Sequence, residues 1–178
     1  MGTVIMDARA IDRVLTRMAG EIVEEAGELA DLAVIGIQRR GVQLAERIVE
    51  EIERRHGHRP DLGVMDITLY RDDLEQVGDQ AVVEKTEIPF KVEGRAIVLV
   101  DDVLYTGRTA RAGIEALFDY GRPARVQLAV LADRGHRELP IRPDYVGKNL
   151  PTARGERVQV RLDEIDGVEE VVLVASEE

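Results

Sequence analysis

A chain of 178 residues, 44% of them hydrophobic, can bury the core of one domain, and a formal net charge of -11 argues against nucleic-acid binding over its whole surface. The absence of cysteine excludes a disulfide framework, a thiolate nucleophile and a zinc–thiolate site. No apolar run approaches the ~20 residues of a membrane span, and M-G-T-V-I-M-D-A-R-A lacks the basic flank and apolar core of a secretory signal, so one cytoplasmic domain over residues 1–178 is expected.

Residues 7–27 read as an amphipathic helix. Ile11, Val14, Leu15, Met18, Ile22 and Val23 recur at helical spacing, Asp7 can cap the start, and Gly27 can end it. Arg9, Arg13 and Arg17 lie on the other side, which as a bare pattern is a solvated basic stripe. Residues 31–37, D-L-A-V-I-G-I, form a buried-strand run that ends in Gln38, Arg39, Arg40 and Gly41, and a helix follows to about His56. Two arginines in a tight loop at a strand's C-terminal end suit pyrophosphate, although a plain helix entry would carry them too. Residues 62–70 alternate like a strand, 71–80 are polar and aperiodic, and 81–90 alternate again. This reads as a hairpin with a mobile lid, and Arg71 is its most plausible catalytic member.

The most informative stretch runs from Ala96 to Thr109, A-I-V-L-V-D-D-V-L-Y-T-G-R-T. Its apolar start predicts a strand of a parallel sheet buried on both faces, and the helical pattern A-R-A-G-I-E-A-L-F follows its polar turn. The free N–H groups of that helix start suit a phosphate, Gly107 lets it approach the backbone, and Thr106 and Thr109 add hydroxyls. Asp101 and Asp102 repel phosphate and suit either a ribose diol or a magnesium ion. Together these groups describe a site for ribose 5-phosphate. Beyond it, a helix to Tyr120 and a strand over 125–132 precede a loop dense in Gly, Pro and charge. Two closing strands cover 157–162 and 171–174. Charge is uneven: 163–178 hold seven acids and no base, whereas 134–148 carry Arg134, Arg137, Arg142 and Lys148 against Glu138 and Asp144.

V-L-V-D-D-V-L-Y-T-G-R-T resembles the phosphoribosyl-pyrophosphate (PRPP) motif of type I phosphoribosyltransferases. Four stretches narrow the resemblance: G-I-Q-R-R-G at 36–41, D-I-T-L-Y-R-D-D-L at 66–74, the PRPP motif, and L-A-D-R-G-H-R-E-L-P-I-R-P-D-Y-V-G-K-N at 131–149. Together they are similar to the family of pyrimidine-operon regulators that double as uracil phosphoribosyltransferases. The resemblance implies an α/β fold of type I phosphoribosyltransferase kind: a parallel-sheet core flanked by helices, with a small hood and a flexible lid hairpin. It also implies two activities. One makes UMP and pyrophosphate from uracil and PRPP with magnesium, which is held through substrate pyrophosphate and ribose hydroxyls. The other binds pyrimidine leader mRNA when UMP or UTP is bound.

By this resemblance Asp101, Asp102, Arg39, Arg40 and Arg71 are the catalytic set, and Val103, Leu104, Tyr105, Thr106, Gly107, Arg108 and Thr109 hold the phosphate. Arg134 and Val158 meet uracil. Thr16, Arg17, His136, Arg137, Arg142 and Lys148 face RNA. Purine-type relatives carry an Asp where this chain has Tyr105, and a Tyr of pKa about 10 is a poor base, so no proton-abstracting residue is assigned. Glu21, Glu24 and Glu25 interrupt the basic face of the first helix. A homodimer or larger assembly is expected, because pairing subunits extends a small basic patch. Two other readings remain: a salvage enzyme without RNA control, and an RNA regulator that binds PRPP without turning it over.

Overall fold

In the computed structural model, residues 2–77 and 82–176 are described. The chain begins with strand β1 (Gly2–Asp7), helix α1 (Ala8–Ala26), strand β2 (Leu32–Ile37), helix α2 (Arg40–His56) and strand β3 (Asp61–Met65). A helical turn α3 (Leu74–Val77) precedes strand β4 (Ala96–Leu104), helix α4 (Arg108–Phe118) and strand β5 (Arg125–Asp133). Strands β6 (Tyr145–Asn149) and β7 (Arg157–Arg161), a short helix α5 (Asp163–Asp166) and strand β8 (Glu170–Val174) complete it.

Five strands make one parallel sheet in the order β3-β2-β4-β5-β6. All six residues of β2 are buried, as are Ile97 to Val100 of β4, because helices cover both faces. The period-2 alternation sorts the strands cleanly. Leu32, Val34, Val98, Val100 and Leu131 pack under α1 and α2, while Ala33, Ile35, Ile37, Ile97, Leu99 and Val130 pack under α4. Each fully buried Ile, Leu or Val contributes about 1.5–3 kcal/mol of apolar burial. α1 has the boundaries its caps predict: the Asp7 carboxylate accepts the Ala10 N–H at 2.9 Å, and Gly27 follows the last turn.

A second, antiparallel sheet, β1-β8-β7, forms the hood. Its Val160, Leu162 and Val171 join the core beneath α1 and α2, so it is packed down by apolar burial.

The structure departs from the sequence expectations in three places. β1 pairs with β8, a partner no local pattern reveals. Within the 133–149 loop, Tyr145 to Asn149 form the sheet's edge strand β6, with Tyr145 buried. The expected lid hairpin is not two regular strands. After β3 the chain makes a 3-10 turn over Thr68–Tyr70 and then α3, and its return touches β3 through one bridge, Val64 to Glu87. The part of the expected loop at 78–81 lies outside the described residues.

Candidate active site

β2 leads through α2 to β3 on one side, and β4 leads through α4 to β5 on the other. The chain order therefore reverses between the neighbours β2 and β4, and the crevice beyond their C-terminal ends is where such sheets bind ligands. Gly36 pairs with Val100, so Gln38 to Arg40 and Asp101–Asp102 reach the same rim. A cavity of about 430 Å³ opens there, lined by Gln38, Ile67, Arg71, Asp72, Asp73, Asp101, Asp102, Val103, Thr106, Arg108 and Thr109. Two glycines make the rim close-packed. A Cβ on Gly41 would lie 2.3 Å from Val100 O, and one on Gly36 would lie 2.6 Å from Gly41 O. The Gln38–Arg39 peptide is cis.

Asp101 and Asp102 both face this cavity. The Asp101 carboxylate accepts the Asp102 N–H at 2.8 Å, and Asp102 accepts the Val103 N–H at the same distance. Burial pushes the Asp101 carboxyl well up, and the charge of Asp102 adds to it. Gly107, left-handed at φ 94°, turns the chain into α4. Thr106 Oγ1 accepts the Arg108 N–H at 3.3 Å, while Thr106 O ties the turn to Glu138 and Leu139. The expected phosphate residues divide: Val103, Thr106, Arg108 and Thr109 line the cavity, but the Leu104 side chain is buried in the core and its carbonyl accepts the Arg134 N–H.

Three arginines of this rim meet carboxylates from the β3–β4 connection. Arg39 pairs with Glu84 at 2.6 Å, Arg71 is forked onto Asp73, and Arg108 reaches Asp72 at 2.6 Å. Each carboxylate holds its guanidinium more firmly protonated. Arg40 differs from expectation: it turns away from the pyrophosphate loop and forks onto Asp166 in the hood.

On the β5 side, Arg134 is 6% exposed and holds the segment before β7, donating to Glu156 O at 2.5 Å. Tyr105 lies over its guanidinium, 3.9 Å from ring centre to Cζ, and meets His136 edge-on. The Tyr105 ring therefore belongs with Arg134, whereas Val158 on β7 packs against the core under α1 and α2. Cation–π contact and two carbonyl acceptors together hold a buried charge that would otherwise be costly.

The expected RNA residues do not gather on one face. Arg17 and Lys148 line a shallow hollow of about 310 Å³ with Arg13, and Arg17 also donates to Val146 O and Gly147 O. Thr16 lines a groove between α1 and α2 beside Asp12, Glu50 and Glu51. Arg142 sits on the α4 side with Ile114 and Asp144. His136 contacts Thr152 O. Arg137 spends its donors inside the loop, on Ile141 O, Tyr105 O and the Asp133 carboxylate, so it braces the loop.

Sequence reasoning passed over Gln38, Asp72 and Asp166. Gln38 stood in the G-I-Q-R-R-G run and could have been read with its neighbours. Nothing local marks Asp166, whose partner is 126 residues away.

A family model described as a phosphoribosyl transferase domain matches residues 2–165. The Bifunctional protein PyrR of Pelotomaculum thermopropionicum is 56% identical over 98% of this chain and 96% of its own length. That of Acetivibrio thermocellus is 60% identical over 92% and 89%. Among solved structures, the hypoxanthine phosphoribosyltransferase of Trypanosoma cruzi superposes with a TM-score of 0.74 over 98% of this chain and 97% of that one, at 17% identity. At that identity the likeness is one of fold, whereas the family model and the relatives span nearly the whole sequence: the chain belongs to the phosphoribosyl transferase domain family, among the bifunctional PyrR proteins.

Proposed function

We propose that this protein makes UMP and pyrophosphate from uracil and PRPP, and that with a uridine nucleotide bound it binds the leader of pyrimidine-biosynthesis mRNA and represses expression. The observation that carries the enzyme reading is the cavity at the sheet's reversal point, where two carboxylates stand one short turn from a helix start. Asp101 and Asp102 accept the ribose hydroxyls, and the turn Thr106–Thr109 takes the 5-phosphate with N–H and hydroxyl donors. Arg39 and Arg71 exchange Glu84 and Asp73 for the leaving pyrophosphate. As the C1–O bond breaks, positive charge develops on the sugar, and the carboxylates below it stabilise that charge. Uracil enters on the Tyr105–Arg134 side.

Among the described residues no group of three or more His, Cys, Asp or Glu could by itself hold a metal ion. Asp101 and Asp102 beside a polyphosphate nonetheless fit magnesium, which keeps waters and binds through one or two carboxylates plus substrate oxygens. When bound, it neutralises charge on the departing pyrophosphate.

The regulatory reading is supported by the likeness to the bifunctional relatives and by the Arg13–Arg17–Lys148 hollow, where Arg17 also pairs with Glu21 at 2.6 Å. A homodimer would place two such hollows on one RNA. Purified protein with magnesium is expected to form UMP from uracil and PRPP and to ignore hypoxanthine, and Asp102→Asn is expected to abolish most of the rate. Leader RNA is expected to be retained on a filter more strongly with UMP than without. Turnover of hypoxanthine but not uracil would overturn the base assignment.

A further inference from the structure

Arg40 opens α2 directly after the pyrophosphate loop, yet its side chain is committed to the hood. Its Nε donates to Asp166 Oδ2 at 3.2 Å and its Nη2 to Oδ1 at 2.7 Å. The two side chains keep only 29% and 20% of their exposure. Asp166 is fixed in turn: its Oδ2 accepts the Leu162 N–H at 2.8 Å and its own N–H donates to Leu162 O. Two turns further along the same face of α2, Arg47 forks onto Glu164 and also reaches Glu169. Three acids of the acidic end of the sequence, Glu164, Asp166 and Glu169, thus find their counter-charges on α2, while Glu170 pairs with Arg161 of β7.

We propose that Arg40 and Asp166 form a latch between the pyrophosphate loop and the hood, acting as positioning residues, and that Arg40 does not touch the leaving pyrophosphate. The inference rests on the reading of the cavity given above. The path is short and stiff. Gly41, next to Arg40, is pressed against Val100 O at the floor on which Asp101 stands. Asp166 closes α5, which follows β7 almost immediately, and the segment entering β7 supplies the carbonyls that hold Arg134 on the base side. Swinging Arg40 out to pyrophosphate would break the fork onto Asp166, leaving that carboxylate with the Leu162 N–H and the more distant charge of Arg161. The pair therefore fixes the distance between the pyrophosphate end of the site and the wall against which the base rests.

The test compares Arg40→Gln, Asp166→Asn and the double variant in full-length protein. The latch predicts that KM for uracil rises about tenfold in each single variant, while KM for PRPP and inhibition by pyrophosphate stay within about twofold. It also predicts that the double variant lies within about threefold of either single, because removing one partner already opens the latch. Amide exchange along β7 and β8 should quicken equally in all three. The proposal is overturned if Arg40→Gln weakens PRPP and pyrophosphate while Asp166→Asn leaves or tightens them, or if uracil KM is unchanged in both. Val160, Leu162 and Val171 remain in the core, so the hood stays attached in these variants. Should one fail to fold, Arg40→Lys and Asp166→Glu replace it, with a smaller rise in uracil KM expected. If the parent protein turns over no uracil, the proposed function falls, and equal or unequal amide exchange in the variants still decides the latch.

Discussion

Gly41→Ala isolates the close packing on which the site stands. The added Cβ would sit 2.3 Å from Val100 O and 3.2 Å from both Val100 C and Asp101 Cα, all of them backbone atoms with no rotamer to give way. Real Cβ contacts do not fall below 3.0 Å, so the first turn of α2 must retreat by at least 0.7 Å. That turn carries the Gln38–Arg39–Arg40 loop with it. Misplacing a positioned group by ~1 Å costs about 100-fold in rate, so kcat/KM for UMP formation should fall by about that factor. Overpacking of this kind costs about 1–3 kcal/mol, and at ~2–4 °C per kcal/mol the Tm should drop by roughly 2–12 °C. A stability of about 5–15 kcal/mol leaves the variant folded at 25 °C, so initial rates there read the site itself. If the variant kept more than about a third of the parent's kcat/KM, the packing argument would be refuted.

Asp101→Asn should remove turnover yet raise Tm at pH 7. The folded carboxyl is pushed above its ordinary value of 3.8, so folding loses stability as pH rises through the carboxylate range toward that raised value. The gain in the variant should vanish in melts below about pH 4, and a gain that persists there would contradict the assignment. Arg17→Gln and Lys148→Gln should each weaken leader-RNA binding and lower its salt slope by about one unit while leaving UMP formation intact, as filter binding across a salt series will read. Arg137→Gln, by contrast, should release the 133–141 loop, lower Tm by roughly 6–12 °C for a loss of about 3 kcal/mol, and reduce turnover and RNA binding together. Loss of RNA binding alone in that variant would restore Arg137 as a direct contact.

What could be read in the sequence was whatever local chemistry determines. Asp7 and Gly27 bound α1 because a cap needs only its own helix. The A-I-V-L-V run is a strand because it is apolar on both faces, and D-D-V-L-Y-T-G-R-T marks the site because carboxylates, glycine and a helix start are consecutive. What could not be read depends on distant partners. Y-V-G-K-N lacks a strand's apolar pattern and becomes β6 only because β5 offers an open edge. β1 is held by β8 from the other end of the chain. Arg40 looks like a free cation in a row of letters, and only the fold brings Asp166, 126 residues away, to it.

The strand order of the hood also sets a timetable for synthesis. β8 is the middle strand of β1-β8-β7, so β1 is made well before its partner and waits for a strand some 160 residues later. At the ~5–20 residues per second of translation that delay is roughly 10–30 s. During it, the parallel sheet, whose strands are complete by Asn149, can already assemble. The nucleotide cavity is thus built before its roof, and until β8 is in place the floor lies beneath two unpaired strand edges, an invitation to aggregation that pairing with β8 withdraws.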